Sequence, residues 1–381
     1  MTDAERSPFY LRFGLTIVTL ALLAVALYLG KAILLPFFFS VLLATLLLPV
    51  INKLQLWRFG KIPSITITLL VALILIGAVI YFLSAQIGSF FDDFPTLEKR
   101  FRTLVWEGQQ WVYDNFHIGY KQQQEYIDET AEKMTTNQGL LSRTVLTLTG
   151  VISYIIFLPV YTFLILYHKD MIKKFLISIF ANDDEDKVRE VLQESQLMSH
   201  QYLTGLLIQV SIVFTLNTIG FFFLDIKYAV FLGFLSALLN IVPYIGMLIA
   251  NVIAITITLV SSPNPIDAVW ASGVLMSVQV IDNNFLMPMI VGNKVKLNAL
   301  AIILGVLIAG ALCGVAGMFL AIPALAALKL IFERVPNLKP WAMLLGDETT
   351  IEQERKNPVK TIFDRVKSKV KKTKSKATSS R

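Results

Sequence analysis

Cysteine, histidine and charge are all scarce in this chain. The single cysteine among 381 residues, Cys313, excludes an internal disulfide framework and leaves the redox compartment open. The three histidines, His117, His168 and His200, lie far apart. No Cys or carboxylate stands beside them at metal-ligand spacing, so no metal site is expected. No phosphate-binding loop, nucleophile elbow or H-E-x-x-H helix occurs. Nucleotide hydrolysis and hydrolase chemistry therefore lack a catalytic set; no catalytic residue, no cofactor and no enzyme activity are expected. Charged residues make up only 16% against 55% hydrophobic, at a mean hydropathy of +0.64. A soluble domain averages about 45–50% apolar and about 25% charged. The balance excludes a disordered chain and a coiled coil.

What is present is length without charge. Apolar runs occupy 13–30, 32–51, 62–84, 144–167, 203–224, 228–260, 266–290 and 298–332, and about 20 such residues cross the hydrocarbon of a bilayer. The expectation is an all-α polytopic membrane protein with six to eight transmembrane helices. The first run is read as a retained span rather than a cleaved signal, because apolar character resumes directly after Lys31. Lys and Arg crowd the N-terminal end, 52–61, 168–202 and the tail, which the positive-inside rule places together in the cytoplasm with both termini. The organisation that follows is 1–90 N-terminal spans, 91–143 an external helical segment, 144–167 a span, 168–202 a cytoplasmic helical hairpin, 203–332 a C-terminal membrane bundle, and 333–381 a basic cytoplasmic tail.

Two runs are too long for one crossing: 228–260 would make a helix of about 50 Å and 298–332 one of about 52 Å. Each has a breaker near its middle. The first holds Asn240-Ile-Val-Pro243-Tyr244-Ile-Gly246, where Pro243 lacks an N–H and clashes one turn back. The second holds Gly310, Gly314 and Gly317, which weaken a helix and permit a turn. Either both runs cross, tilted and kinked, or both are re-entrant hairpins; one of each would put the basic tail outside. Lys294 and Lys296 in the turn 291–297 favour the hairpins. The Gly310-x-x-x-Gly314 spacing also suits close helix packing.

Outside the spans, Leu97, Phe101, Leu104, Val105, Trp111 and Phe116 recur at helical spacing in a segment with six basic and nine acidic residues. Its aromatic residues suit a helix resting at the membrane interface. A second helix is expected over Tyr120 to Met134, ended by Asn137-Gln-Gly139. Asn182 is the expected N-cap of the helix that leads into the span at 203. The stretch from Arg355 to Lys376 holds ten basic residues. It is expected to lie along anionic headgroups, with no recognition fold to make it a nucleic-acid binder.

The remaining signal is polarity at membrane depth. Asp282 is the carboxylate deep in an apolar run, flanked by Gln279, Asn283 and Asn284 and followed by Pro288. An ionised carboxylate in lipid is expensive and faces a cavity or a partner. Gln209, Asn217, Asn240, Tyr244, Asn251 and Asn298 are further polar residues in apolar surroundings. The expected pathway comprises Asp282, Asn283, Asn284, Gln279, Asn240 and Tyr244. Its breaks are shaped by Pro243, Gly246, Pro288 and Gly292 and by Gly310, Gly314 and Gly317.

These motifs carry a resemblance. Tyr202-Leu-Thr-Gly205, the Asn240–Gly246 segment, Asp282-Asn-Asn-Phe-Leu-Met-Pro288-Met-Ile-Val-Gly292 and the stretch from Gly310 to Pro323 resemble the autoinducer-2 exporter (AI-2E) family of bacterial inner-membrane proteins, also called predicted permeases. The resemblance covers about residues 10–335. It implies export of a small polar signalling molecule or metabolite, sodium(lithium)/proton antiport in some members, and a homo-oligomer, with a pentamer as one form. Antiport would assign Asp282 a monovalent cation or proton. The competing class is a non-transporting membrane scaffold.

Overall fold

The computed structural model describes residues 9–117, 119, 155–180, 185–242, 245–289, 297–335 and 338–346. They form helices throughout, apart from an isolated bridge between Leu297 and Gly346. The order is α1 (Phe9–Leu56), α2 (Lys61–Phe116), α3 (Ile155–Tyr167), α4 (Lys169–Phe180), α5 (Glu185–Phe223), α6 (Ala229–Leu239), α7 (Ile245–Ser261), α8 (Ile266–Ile281), a π-helical turn (Asp282–Leu286), α9 (Ala299–Arg334) and α10 (Lys339–Leu345). Among the described residues four helices are long and apolar enough to cross a membrane, or five if the bent α3–α4 pair counts as one span. The fold is that of an all-α polytopic membrane protein.

The runs 13–30 and 32–51 are not separate helices. They join in α1, 48 residues long and hence about 72 Å. Reversing the chain requires residues that leave helical geometry, and Lys31 does not. The helix continues past it, and the Lys31 ammonium lies 4.3 Å from the centroid of the Tyr28 ring one turn back. Likewise α2 runs 56 residues, so the aromatic stretch up to Phe116 belongs to the same continuous helix that begins at Lys61. It ends where His117 turns left-handed and its N–H reaches the Tyr113 carbonyl.

On the basic side, Leu47 and Ile51 of α1 pack with Ile65 and Leu69 of α2 and Leu166 of α3. Lys61 pairs with Asp170 at 3.2 Å and Lys169 donates to Asn52 at 3.3 Å, tying the turn after α1 to the α3–α4 elbow. Arg334 reaches Glu190 and Glu194 at 3.1 and 2.8 Å, anchoring the end of α9 to the start of α5. At the opposite end, Asp93 of α2 accepts from Lys227 and from the Tyr228 hydroxyl, each at 2.7 Å. Phe90 stacks on Phe231 there.

Both long C-terminal runs fold back on themselves. In α9, Gly314 takes φ 66° and ψ −155°, a conformation open essentially to glycine alone. A Cβ on Gly305 would come 2.5 Å from Leu325, and one on Gly310 2.5 Å from Met318, so the two arms face each other antiparallel. The Asn298 N–H donates to the Leu345 carbonyl at 3.0 Å, which brings both ends of the hairpin to one side. In the first run, Leu232 of α6 and Ala254 of α7 share a core with Phe221. At its turn, Ile241 and Val242 pack against the core of the α9 hairpin. A Cβ on Gly246 would lie 1.7 Å from the Leu239 carbonyl oxygen, so only glycine fits that turn. The two hairpins thus enter from opposite ends and meet inside the bundle.

Candidate functional site

Three elements converge on one carboxylate. α8 runs inward to Asp282, where the helix widens by one residue per turn and the Met287 N–H bonds the Asp282 carbonyl. The cause is in the sequence. Pro288 has no N–H to give, and its ring would press on the carbonyl four residues back, at Asn284; a π turn relieves that conflict. Asn240 ends α6, and Gln209 lies midway along α5.

Asp282 is 2% exposed. The Gln209 amide donates to both of its oxygens at 2.8 and 3.0 Å, and the Asn240 amide donates to Oδ2 at 2.9 Å. All three hydrogen bonds come from neutral groups. Among the described residues no Lys or Arg pairs with it. Amide donors satisfy a carboxylate's lone pairs but leave its charge uncompensated, which is costly at membrane depth.

A second polar layer lies beside the first. Asn217, Ser236, Asn240, Asn251 and Gln279 line a cavity of about 10 Å³, room for about one water. The Asn251 carbonyl accepts from the Ser272 hydroxyl at 3.0 Å and its amide donates to the Met247 carbonyl at 3.2 Å. The Asn217 side-chain oxygen is buried with no hydrogen-bond partner among the described residues. Buried polar atoms are satisfied as a rule, so it has an acceptor free for whatever enters.

Of the residues expected from sequence, Asp282 and Asn240 meet directly and Gln279 lines the adjoining cavity. Asn283 and Asn284 do not join them. Both are exposed; Asn283 accepts from Gln279 at 3.0 Å and Asn284 donates to the Val280 carbonyl at 2.8 Å. Gly246, Gly310, Gly314, Gly317 and Pro288 stand at breaks or close approaches. Tyr244, Pro243, Gly292, Lys294 and Lys296, the helix expected over Tyr120 to Met134, Asn182 and the basic tail lie outside the described residues. Gln209 is the principal partner that the expected pathway lacked. Its signal was present, an amide in an apolar helix, but 73 residues separate it from Asp282 and nothing in sequence pairs them.

A polytopic helical bundle whose broken segments meet beside a buried polar cluster belongs to the class of membrane transport proteins. The family model described as "AI-2E family transporter" matches residues 17–337, and the chain belongs to that family. Curated relatives include a Haemophilus influenzae protein named "Putative transport protein", 28% identical over 329 residues that cover 84% of this chain and 91% of the relative. The "Putative transport protein YrrI" of Bacillus subtilis is 26% identical, covering 79% and 86%. The "AI-2 transport protein TqsA" of Escherichia coli is 25% identical, covering 83% and 90%.

Proposed function

We propose that this transporter exports a small polar metabolite or signalling molecule across the bacterial inner membrane, through the C-terminal bundle, with Asp282 as the polar centre of the path. One observation carries the reading: a carboxylate 2% exposed, held by the amides of Gln209 and Asn240 without a basic partner. Such a group is retained where a hydrophilic species has to be received in the hydrocarbon. Asn240, Gln279 and Tyr244 supply neutral hydrogen bonds in this account. Asn283 and Asn284 serve at an outer face, against a neighbouring copy in a homo-oligomer, for which a pentamer is one form. The name of the TqsA relative, which refers to AI-2, supports a small polar cargo.

The same carboxylate favours a second reading. With no Lys or Arg pairing with it among the described residues, Asp282 is the carboxylate that sodium(lithium)/proton antiport would use to carry a monovalent cation. Efflux of candidate polar metabolites from loaded proteoliposomes tests both readings against a scaffold. The expected outcome is flux by wild type and none by the Asp282→Asn, Tyr244→Ala double variant. Flux intact in the double variant rejects the site, and no flux of any tested solute or cation by wild type supports the scaffold.

For orientation, the turn at 57–60, the elbow at 168 and the C-terminal end belong to the cytoplasmic side, with the basic tail along anionic headgroups. Arg6 and Arg12 place the N-terminus there too, whereas a single passage of unbroken α1 carries Phe9 to the side opposite Leu56. Labelling a cysteine at Ser7 with an impermeant reagent decides between them.

A further inference from the structure

The α3–α4 elbow builds a site away from the Asp282 cluster. α4 leaves α3 at 70°, so with α3 crossing the membrane, α4 lies close to the membrane plane. Met171, Phe175 and Ile179, one turn apart, are 60%, 59% and 51% exposed. They form an apolar stripe of the kind that sinks into the headgroup boundary. The opposite face of α4 presents Lys169 and Lys173 to a cavity of about 410 Å³ between α1, α3, α4 and α5. Asn52, Gln193 and Gln196 complete its polar wall, above an apolar floor that includes Leu48 and Leu166.

The charges around this cavity do not cancel. Asp170 also lines it, but its carboxylate is held by Lys61 at 3.2 Å. Glu190 and Glu194, nearby on α5, bind Arg334. Among the described residues, Lys169 donates to the neutral Asn52 amide oxygen and makes no ion pair, and Lys173 has no ion pair. Two ammonium groups and three amides therefore face a polar space over an apolar floor, beside a helix that rests on the bilayer.

We infer that this cavity binds the phosphate group of an anionic membrane phospholipid. The ammonium groups of Lys169 and Lys173 hold the phosphate oxygens, the amides bond the headgroup, and the apolar floor receives the start of the acyl chains. A bound lipid then bridges α1, the elbow and α5, and steadies the base of the transport bundle.

The test is native mass spectrometry of the full-length chain taken from vesicles of phosphatidylethanolamine with and without phosphatidylglycerol. Wild type and the Lys169→Arg, Lys173→Arg variant are expected to retain phosphatidylglycerol. Lys169→Gln, Lys173→Gln should bind it about 30-fold more weakly. Neutralising Lys367, Lys369, Lys371 and Lys372 to Gln in the full chain should leave retention unchanged. Retention unaffected by the elbow variant, or lost only on neutralising the tail, overturns the site. In a second arm, inorganic phosphate at millimolar concentration should not displace the lipid; displacement assigns the cavity to a soluble phosphate and overturns the lipid reading.

Discussion

At the scale of single residues, Gln209 and Asp282 form a unit whose parts are unequal alone. Replacing Gln209 with Leu removes two of the three hydrogen bonds and leaves a buried carboxylate on one amide, which costs about 3 kcal/mol. Thermal unfolding in detergent should show that loss. The Gln209→Leu, Asp282→Leu double variant should recover most of it, since an apolar pair leaves no charge to satisfy. A double variant as unstable as the single one would mean that Gln209 acts through packing. The sequence revealed Asp282 and Asn240 because polar groups stand out in apolar runs. It did not reveal that Asn283 and Asn284 turn away. Successive residues on a helix point about 100° apart, so three polar neighbours cannot share one inward direction, and which of them does is set by the packing of α8 against α5. The Asn217 oxygen was equally hidden, since a missing partner is a property of the assembled interior.

At the scale of elements, the hairpins depend on glycines in places where no other residue fits. Gly314→Ala puts a side chain at φ 66° and costs about 1–3 kcal/mol, read as a lower unfolding temperature. Gly77→Ala, in a helix with nothing within 4 Å of the added Cβ, should not destabilise. The tie between α2 and the α5–α6 turn has its own signature. Hydrogen bonding to the Asp93 carboxylate raises the Lys227 pKa above its ordinary 10.5. A raised lysine stabilises fully below its unfolded value and loses that contribution as pH rises through the folded one. Unfolding temperatures of wild type and Lys227→Gln should therefore differ at neutral pH and converge in strong alkali; a gap that persists there would remove the ion pair as its cause. The breaks themselves were legible, since proline and spaced glycines in the middle of an over-long run weaken a helix there, although Pro36, Pro49, Pro95 and Pro323 lie within helices. The continuity of α1 was not. A lone Lys31 resembles a turn in a hydropathy pattern, yet it snorkels over Tyr28 and leaves the backbone helical.

At the scale of the whole molecule, two hairpins entering from opposite ends give each connecting loop a side. A cysteine at Lys294 should react with an impermeant reagent only from the side that labels Arg58, and one at Asn264 only from the other. Labelling of 294 from the side opposite Arg58, with 264 labelled from the Arg58 side, would restore the reading in which both long runs cross. Gln209 of α5, Asn240 at the first hairpin turn and the π turn enclose the buried carboxylate, and the meaning of the architecture rests on that group. The most direct measurement places wild type, Asp282→Glu and Asp282→Asn in matched proteoliposomes and records solute efflux together with sodium- or lithium-driven proton movement. The account predicts movement by wild type, partial movement with Glu and none with Asn, while all three unfold at similar temperatures. Equal movement by wild type and Asp282→Asn would contradict it.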